Sequence, residues 1–253
     1  MKKILLIGAT GVLGKAFTTN LATKHSLFIA DNNISLLKNL SQKNKLNYRY
    51  CDVTRKGSIK SLINHVTKKM GDLDIVIHNI AQTSEQLLKN NKKFPKFSSI
   101  KLETWNKDFQ VNLTSVFELA QELDKLWTDK TKLKKFIAVS SIYGVISPNP
   151  NLYKDENFYT LPSYSSSKSG LISLIKWLSI YWAKKNIAAN SISPGGIKNK
   201  QSKSFIKKYS RLNPSSRMGH ESDILEALYY LINSKSNYIT GQNIIVDGGY
   251  SIW

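Results

Sequence analysis

Near its N-terminus the chain reads Lys3-Ile4-Leu5-Leu6-Ile7-Gly8-Ala9-Thr10-Gly11-Val12-Leu13-Gly14, four consecutive apolar residues followed by glycines at every third position. The apolar run stops at Gly8, too soon for the core of a signal peptide, and reads as a buried first strand. After it, a G-x-x-G-x-x-G turn opens a helix. Absent side chains there let backbone approach a pyrophosphate, and the helix start supplies unpaired N–H groups and a favourable dipole. Gly8, Thr10, Gly11, Val12, Leu13 and Gly14 form this candidate cradle, although a glycine turn between any strand and helix looks the same in isolation.

Working outward, short apolar runs alternate with longer amphipathic stretches, the pattern of βαβ units. Strands are expected at 3–8, 27–31, 48–52, 75–79, 135–140, 188–193 and 243–247. Runs such as Ile75-Val76-Ile77 and Phe136-Ile137-Ala138-Val139 lack polar alternation, as expected when helices cover both faces of a parallel sheet. The fold class is therefore α/β: one Rossmann-type domain over residues 1–253, doubly wound, with a mainly parallel seven-stranded sheet. Leu171, Leu174, Ile175, Leu178 and Trp182 make the clearest helical stripe. It reads chiefly as core, with part of it and the stretch 105–127 available for a subunit interface.

Composition narrows the class. At 41% hydrophobic and 21% charged residues the chain has a globular mix, and no apolar run reaches the length of a membrane span. Cys51 is the only cysteine, which excludes an internal disulfide and suits a reducing, cytoplasmic setting. The 37 basic and 17 acidic residues give a net charge of +20, which raises nucleic acid or an anionic membrane as partners. Arginine, the preferred bidentate reader of phosphates and bases, occurs only at positions 49, 55, 211 and 217, and the lysines are dispersed. Codon bias of an AT-rich genome accounts for this better, so neither partner is expected. Histidines 25, 65, 78 and 220 are scattered without metal-ligand spacing, and no metal is expected.

Asp31 ends the second strand, 23 positions beyond Gly8, where a carboxylate can accept hydrogen bonds from both hydroxyls of an adenosine ribose. It would repel a 2′-phosphate, so NAD is expected in preference to NADP, with Lys15 and other lysines moderating the preference. Asp31 as a plain turn residue is the competing reading. Asp52, with Val53, is placed to meet the adenine, against a turn cap at Thr54. Asn79 and Ala81 end the fourth strand, where backbone passes the ribose. Further on, Tyr164 and Lys168 stand four apart, on one face of a helix. A phenol with an ordinary pKa near ~10 carries protons poorly at neutral pH, and a fixed ammonium favours its ionised form. Alone, this spacing is common and an exposed helix pair explains it.

Taken together, the glycine turn, Asp31, Asp52, Asn79, Asn112, Ser140-Ser141, Tyr164/Lys168, Ser193-Pro194-Gly195-Gly196 and the ending Val246-Asp247-Gly248-Gly249 resemble the short-chain dehydrogenase/reductases over essentially the whole length. The resemblance implies an NAD(P)-dependent oxidoreductase acting on a secondary alcohol or ketone, with a small-molecule substrate and a homodimeric or homotetrameric state. It also implies roles. Tyr164 would be the general acid/base and Ser141 would orient the substrate oxygen. Lys168 would hold the nicotinamide ribose and lower the Tyr164 pKa, and Asn112 would support a water-mediated proton path. Pro194, Gly195 and Ile197 would line the nicotinamide, with Ile197 offering backbone groups to its carboxamide.

The chain departs from the family at several points: Gly11-Val12 where the glycine usually comes one place later, His78 where asparagine is frequent, and Asn199 for a common threonine. The interval from Ser141 to Tyr164 is longer than usual. With Ser140-Ser141-Ile142-Tyr143-Gly144-Val145 before it, the chain is similar to flagellin-modification and surface-polysaccharide oxidoreductases of bacteria, which implies a sugar substrate. Two long connections, 142–162 and 195–220, lie where a substrate site would be built. The second carries Lys198, Lys200, Lys203, Lys207, Lys208 and Arg211 where the family has a lid. A phosphorylated or nucleotide-linked sugar would suit that charge; a solvated surface explains it equally well. An NADP-dependent 3-oxoacyl or polyol reductase is the alternative within the family, and a non-catalytic cofactor-binding regulator the alternative outside it.

Overall fold

The computed structural model describes residues 1–84, 94–154 and 156–253. Among them, strands β1 (Lys3–Ile7), β2 (Ser26–Asp31), β3 (Asn47–Tyr50), β4 (Ile75–His78), β5 (Lys134–Val139), β6 (Ile187–Pro194) and β7 (Asn243–Val246) form one sheet, paired parallel throughout in the order β3-β2-β1-β4-β5-β6-β7. The expected seven strands and doubly wound architecture are therefore present. The third strand ends earlier than its apolar content suggested. Cys51 and Val53 are buried beyond it, in a turn that drops back against the core.

The other elements are helices α1 (Val12–Ala22), α2 (Ile34–Asn44), α3 (Ser58–Met70), α4 (Leu102–Phe109), α5 (Ser115–Leu126), α6 (Pro162–Trp182), α7 (Lys203–Arg211) and α8 (Glu221–Asn233). Alternate strand residues face opposite layers. Leu5, Ile7, Val76, Phe136 and Ala138 pack with α3, α5 and α6, whereas Ile4, Leu6, Ile75, Ile77 and Ile137 pack with α1 and α8. Of the stripe, Leu171, Ile175, Leu178 and Trp182 belong to the first layer and are buried, and Leu174 is half-buried against it. The exposed apolar side chains of α6 are Trp177, Ile180 and Tyr181.

Not every lysine of this basic chain is at the surface. Lys135 is 4% exposed and donates to the carbonyls of Leu231, Ile232 and Ser234, satisfying the open C-terminal end of α8. Burial, with Lys2 nearby, lowers its pKa to about 8. Between pH 8 and the unfolded lysine value the unfolded chain binds more protons, so the contribution of this group to stability should rise with pH through that window. Urea melts of wild type and Lys135→Met at pH 8 and pH 10 should show the wild type gaining stability relative to the variant; a pH-independent difference would contradict the buried assignment.

The strand order reverses between β1 and β4, and ligands of open α/β sheets bind outside the carboxyl ends at such a switch. Asp31 ends β2, and the glycine turn, Asn79, Ser141 and Gly195 follow the carboxyl ends of their strands.

Candidate active site

At the nucleotide end, Gly8 leaves β1 with φ +86°, and a Cβ there would lie 2.5 Å from the Asn79 carbonyl oxygen. At Gly14 a Cβ would lie 2.1 Å from the Gly8 carbonyl oxygen, so α1 can press on the turn only without a side chain. Gly11 differs: a Cβ there meets nothing within 4 Å. It precedes the first turn of α1, which has no side-chain cap and no acidic residue. Open space in front of uncapped helical N–H groups fits a pyrophosphate.

Asp31 is 8% exposed, and its two carboxylate oxygens accept from the backbone N–H groups of Thr10 and Asn33, each at 2.9 Å. Both the turn role and a ligand role are compatible with this, since each oxygen keeps capacity for a further donor. Asp52 accepts from the Thr54 amide and hydroxyl and pairs with Arg55, the turn-capping arrangement, while Val53 is buried. Asn79 donates from its side chain to the Gly8 carbonyl at 2.9 Å, which makes it a brace of the glycine turn; Ala81 is half-buried beside it.

His78 is wholly buried. Ser115 Oγ donates to the Val111 carbonyl at 2.7 Å, leaving it to accept from His78 Nε2 at 2.9 Å. Burial, together with the charge of Lys168, pushes the imidazole pKa down to about 3, so it stays neutral.

At the other end of the crevice, Ser141 and Tyr164 line one cavity of about 170 Å³. Ser140 points away and donates to the Lys168 carbonyl, whereas Ser141 Oγ accepts the Tyr143 amide at 3.2 Å. Lys168, one helical turn beyond Tyr164, is 1% exposed; its Nζ donates to the carbonyls of Val139 at 2.9 Å and Ile80 at 3.5 Å. Burial without a salt bridge among the described residues lowers its pKa to about 7. Gly144 explains how the serine loop comes so close: a Cβ there would sit 2.8 Å from the backbone of Lys168.

Asn112 lies in a π turn, Gln110–Thr114, between α4 and α5, a feature the sequence did not disclose. Its side chain is used within the protein. Oδ1 accepts from the Gln82 amide at 2.8 Å, and Nδ2 donates to the Gln82 carbonyl and to Ser167 Oγ. Beyond Pro194, Gly195 donates to the Val246 carbonyl and Gly196 to Tyr209 Oη. The carbonyl of Ile197 is taken by Gln201 Nε2 at 2.9 Å, so its backbone is partly committed.

The remaining cavity walls were not singled out in the sequence. Tyr143, Tyr153, Phe158 and Thr160 come from the long connection after β5, and Gln201, Phe205, Tyr209 and Met218 from the one after β6. Their signal was the aromatic density of those connections. Tyr143 Oη contacts Tyr153 Oη at 2.9 Å, which contacts Thr160 Oγ1 at 2.8 Å, giving a line of hydroxyls. A wider groove of about 1080 Å³ adjoins, sharing Tyr153, Phe158 and Thr160. Helix α7 turns Phe205 and Tyr209 inward, and Lys198, Lys200, Lys203, Lys207 and Arg211 are exposed. None of these five side chains lines the cavity or the adjoining groove, and Lys208 is half-buried. No cluster suited to a metal ion occurs among the described residues, and none of their helices is long and apolar enough to cross a membrane.

Comparison with known proteins places this geometry. A family model described as enoyl-(acyl carrier protein) reductase matches residues 11–251. A 3-oxoacyl-[acyl-carrier-protein] reductase of Buchnera aphidicola is 29% identical, over 98% of this chain and 96% of its own length. The post-translational flagellin modification protein A of Campylobacter coli is 29% identical over 99% of this chain and 98% of its own. A short-chain dehydrogenase of Leptospira borgpetersenii, solved with bound NAD+, superposes with a TM-score of 0.85 at 29% identity, covering 99% of this chain and 93% of that one. The chain belongs to the short-chain dehydrogenase/reductase family and is an NAD(P)-dependent oxidoreductase.

Proposed function

We propose that this enzyme interconverts a secondary alcohol and a ketone on a sugar or nucleotide-linked sugar, using NAD in preference to NADP. The observation that carries the reading is the small cavity containing Ser141 and Tyr164 and walled by the hydroxyl line Tyr143, Tyr153 and Thr160. At about 170 Å³ it is smaller than the ~300–1,000 Å³ of sites for drug-sized ligands, which suits a single ring with the rest of the molecule in the adjoining groove. Such a ring carries several hydroxyls that need partners when desolvated.

In the oxidative direction Tyr164, ionised, accepts the proton of the substrate hydroxyl while Ser141 holds the same oxygen. A nicotinamide held beside Pro194, Gly195 and Ile197 would supply the acceptor for the hydride of the carbinol carbon. Lys168 makes the phenolate affordable: a buried ammonium with only carbonyl partners gains from an anion one turn away, and the pair shares the desolvation cost that each would bear alone. Asn112 holds the Gln82 segment against α6 and so keeps the proton route beside Lys168 in place. Gly8, Thr10, Gly11, Val12, Leu13 and Gly14 cradle the pyrophosphate. Asp31 accepts the ribose hydroxyls, and Asp52, Val53, Asn79, Ala81, Pro194, Gly195 and Ile197 line the remaining length. The exposed Trp177, Ile180 and Tyr181 of α6 suit a homo-oligomeric contact.

A second reading, a 3-oxoacyl reductase, draws support from the Buchnera relative and from the aromatic walls of the groove. One experiment separates them: sugars, sugar nucleotides and an acetoacetyl thioester are each tested with both cofactors. Formation of NADH from a sugar is the expected outcome, with NADH bound at least about tenfold, or ~1.4 kcal/mol, more tightly than NADPH. Turnover of the thioester alone, or a tenfold preference for NADPH, would overturn the sugar reading and the use of Asp31 respectively.

A further inference from the structure

Two polar contacts join α4 and its π turn to α6, and only one involves a residue discussed so far. Asn112 donates to Ser167 Oγ at 3.1 Å; four residues earlier on each side, Ser163 Oγ donates to Asp108 Oδ2 at 2.5 Å. The matching steps, 108 to 112 and 163 to 167, set the two contacts as successive rungs between facing helical stripes. Asp108 is 3% exposed and Ser163 is wholly buried. A carboxylate is a costly group to bury, and neighbouring apolar packing would hold the helices together without it. Its partner immediately precedes Tyr164 in the first turn of α6, a helix whose N-cap, Leu161, has no side-chain cap. There the amide of Leu161 donates to Ser84 Oγ at 2.8 Å, and the open helix end favours a nearby negative charge.

We propose that Asp108 is a positioning residue: through Ser163 it fixes the first turn of α6 and so the depth at which the Tyr164 phenol enters the cavity. This rests on the reading of Tyr164 as the proton-transfer group. Ser84 lines the same cavity, so the start of α6 is held from two sides, by a loop residue at Leu161 and by α4 at Ser163.

The test compares Asp108→Leu, Asp108→Asn and Ser163→Ala with wild type, in crystals grown with NADH and in single-turnover reduction of 2,3-butanedione by bound NADH. Asp108→Leu and Ser163→Ala should move the Tyr164 hydroxyl by about 1 Å and slow the step by roughly a hundredfold. Affinity for NADH should stay within about twofold, and Asp108→Asn, which still accepts the serine hydrogen bond, should recover to within about fivefold of wild type. An unmoved Tyr164 in Ser163→Ala, or an asparagine variant as impaired as the leucine variant, would overturn the proposal. Should Asp108→Leu fail to fold, Ser163→Ala decides, because it removes a single oxygen. A wild type unable to reduce any carbonyl compound would count against the reading of Tyr164, and the crystallographic comparison would still judge the rung.

Discussion

Tyr164→Phe is expected to lower turnover by roughly a hundred- to ten-thousand-fold, the range that a positioned general acid or base supplies. The substitution removes one oxygen and keeps the ring, so the cavity wall and α6 should be undisturbed. Affinity for NADH, measured by its fluorescence on binding, should therefore change little. Lys168 would lose an anionic partner in the variant and keep its contacts with the carbonyls of Val139 and Ile80. Retained turnover would remove Tyr164 from the reaction, and a parallel loss of NADH binding would make it a cofactor residue instead.

The second large effect separates two glycines that look alike in sequence. Gly14→Ala places a methyl group against backbone atoms of Gly8 and Ala9, none of which can swing aside. It should cost about 1–3 kcal/mol or more from overpacking, lowering Tm by roughly 2–10 °C, with cofactor binding lost as the turn is forced open. Gly11→Val meets open space and should leave Tm nearly unchanged. Its side chain would nonetheless occupy the approach to the first turn of α1, so NADH should bind at least about a hundredfold, or ~2.7 kcal/mol, more weakly. Calorimetry and NADH titration of the pair check both statements. Unaltered NADH affinity in Gly11→Val would refute the cradle.

The sheet was readable because β1, β2, β4 and β5 carry continuous apolar runs, buried on both faces. The edge strand β3, Asn47-Tyr48-Arg49-Tyr50, is half exposed, so apolar content carried the expected strand two residues into the turn after it. The glycine turn and the Tyr164/Lys168 spacing were readable because both are local, set by a few bonds along the chain. Contacts between distant segments were not. Asp108 and Ser163 are 55 positions apart, and nothing at either position announces the other. The lysines of α7 were equally ambiguous: charge is visible in a sequence, but the face that carries it depends on which residues, here Phe205 and Tyr209, turn inward.

At Gly144 the serine loop lies directly on the main chain of Lys168. The gap between the serine loop and the lysine's helix is thus gauged by peptide atoms, a dimension that exchange of the cavity-wall side chains leaves alone. Tyr143, Tyr153, Phe158 and Phe205 could be replaced one by one, changing the molecules admitted, while the point of bond-making stayed where it is. Selectivity and chemistry can accordingly drift independently in this chain.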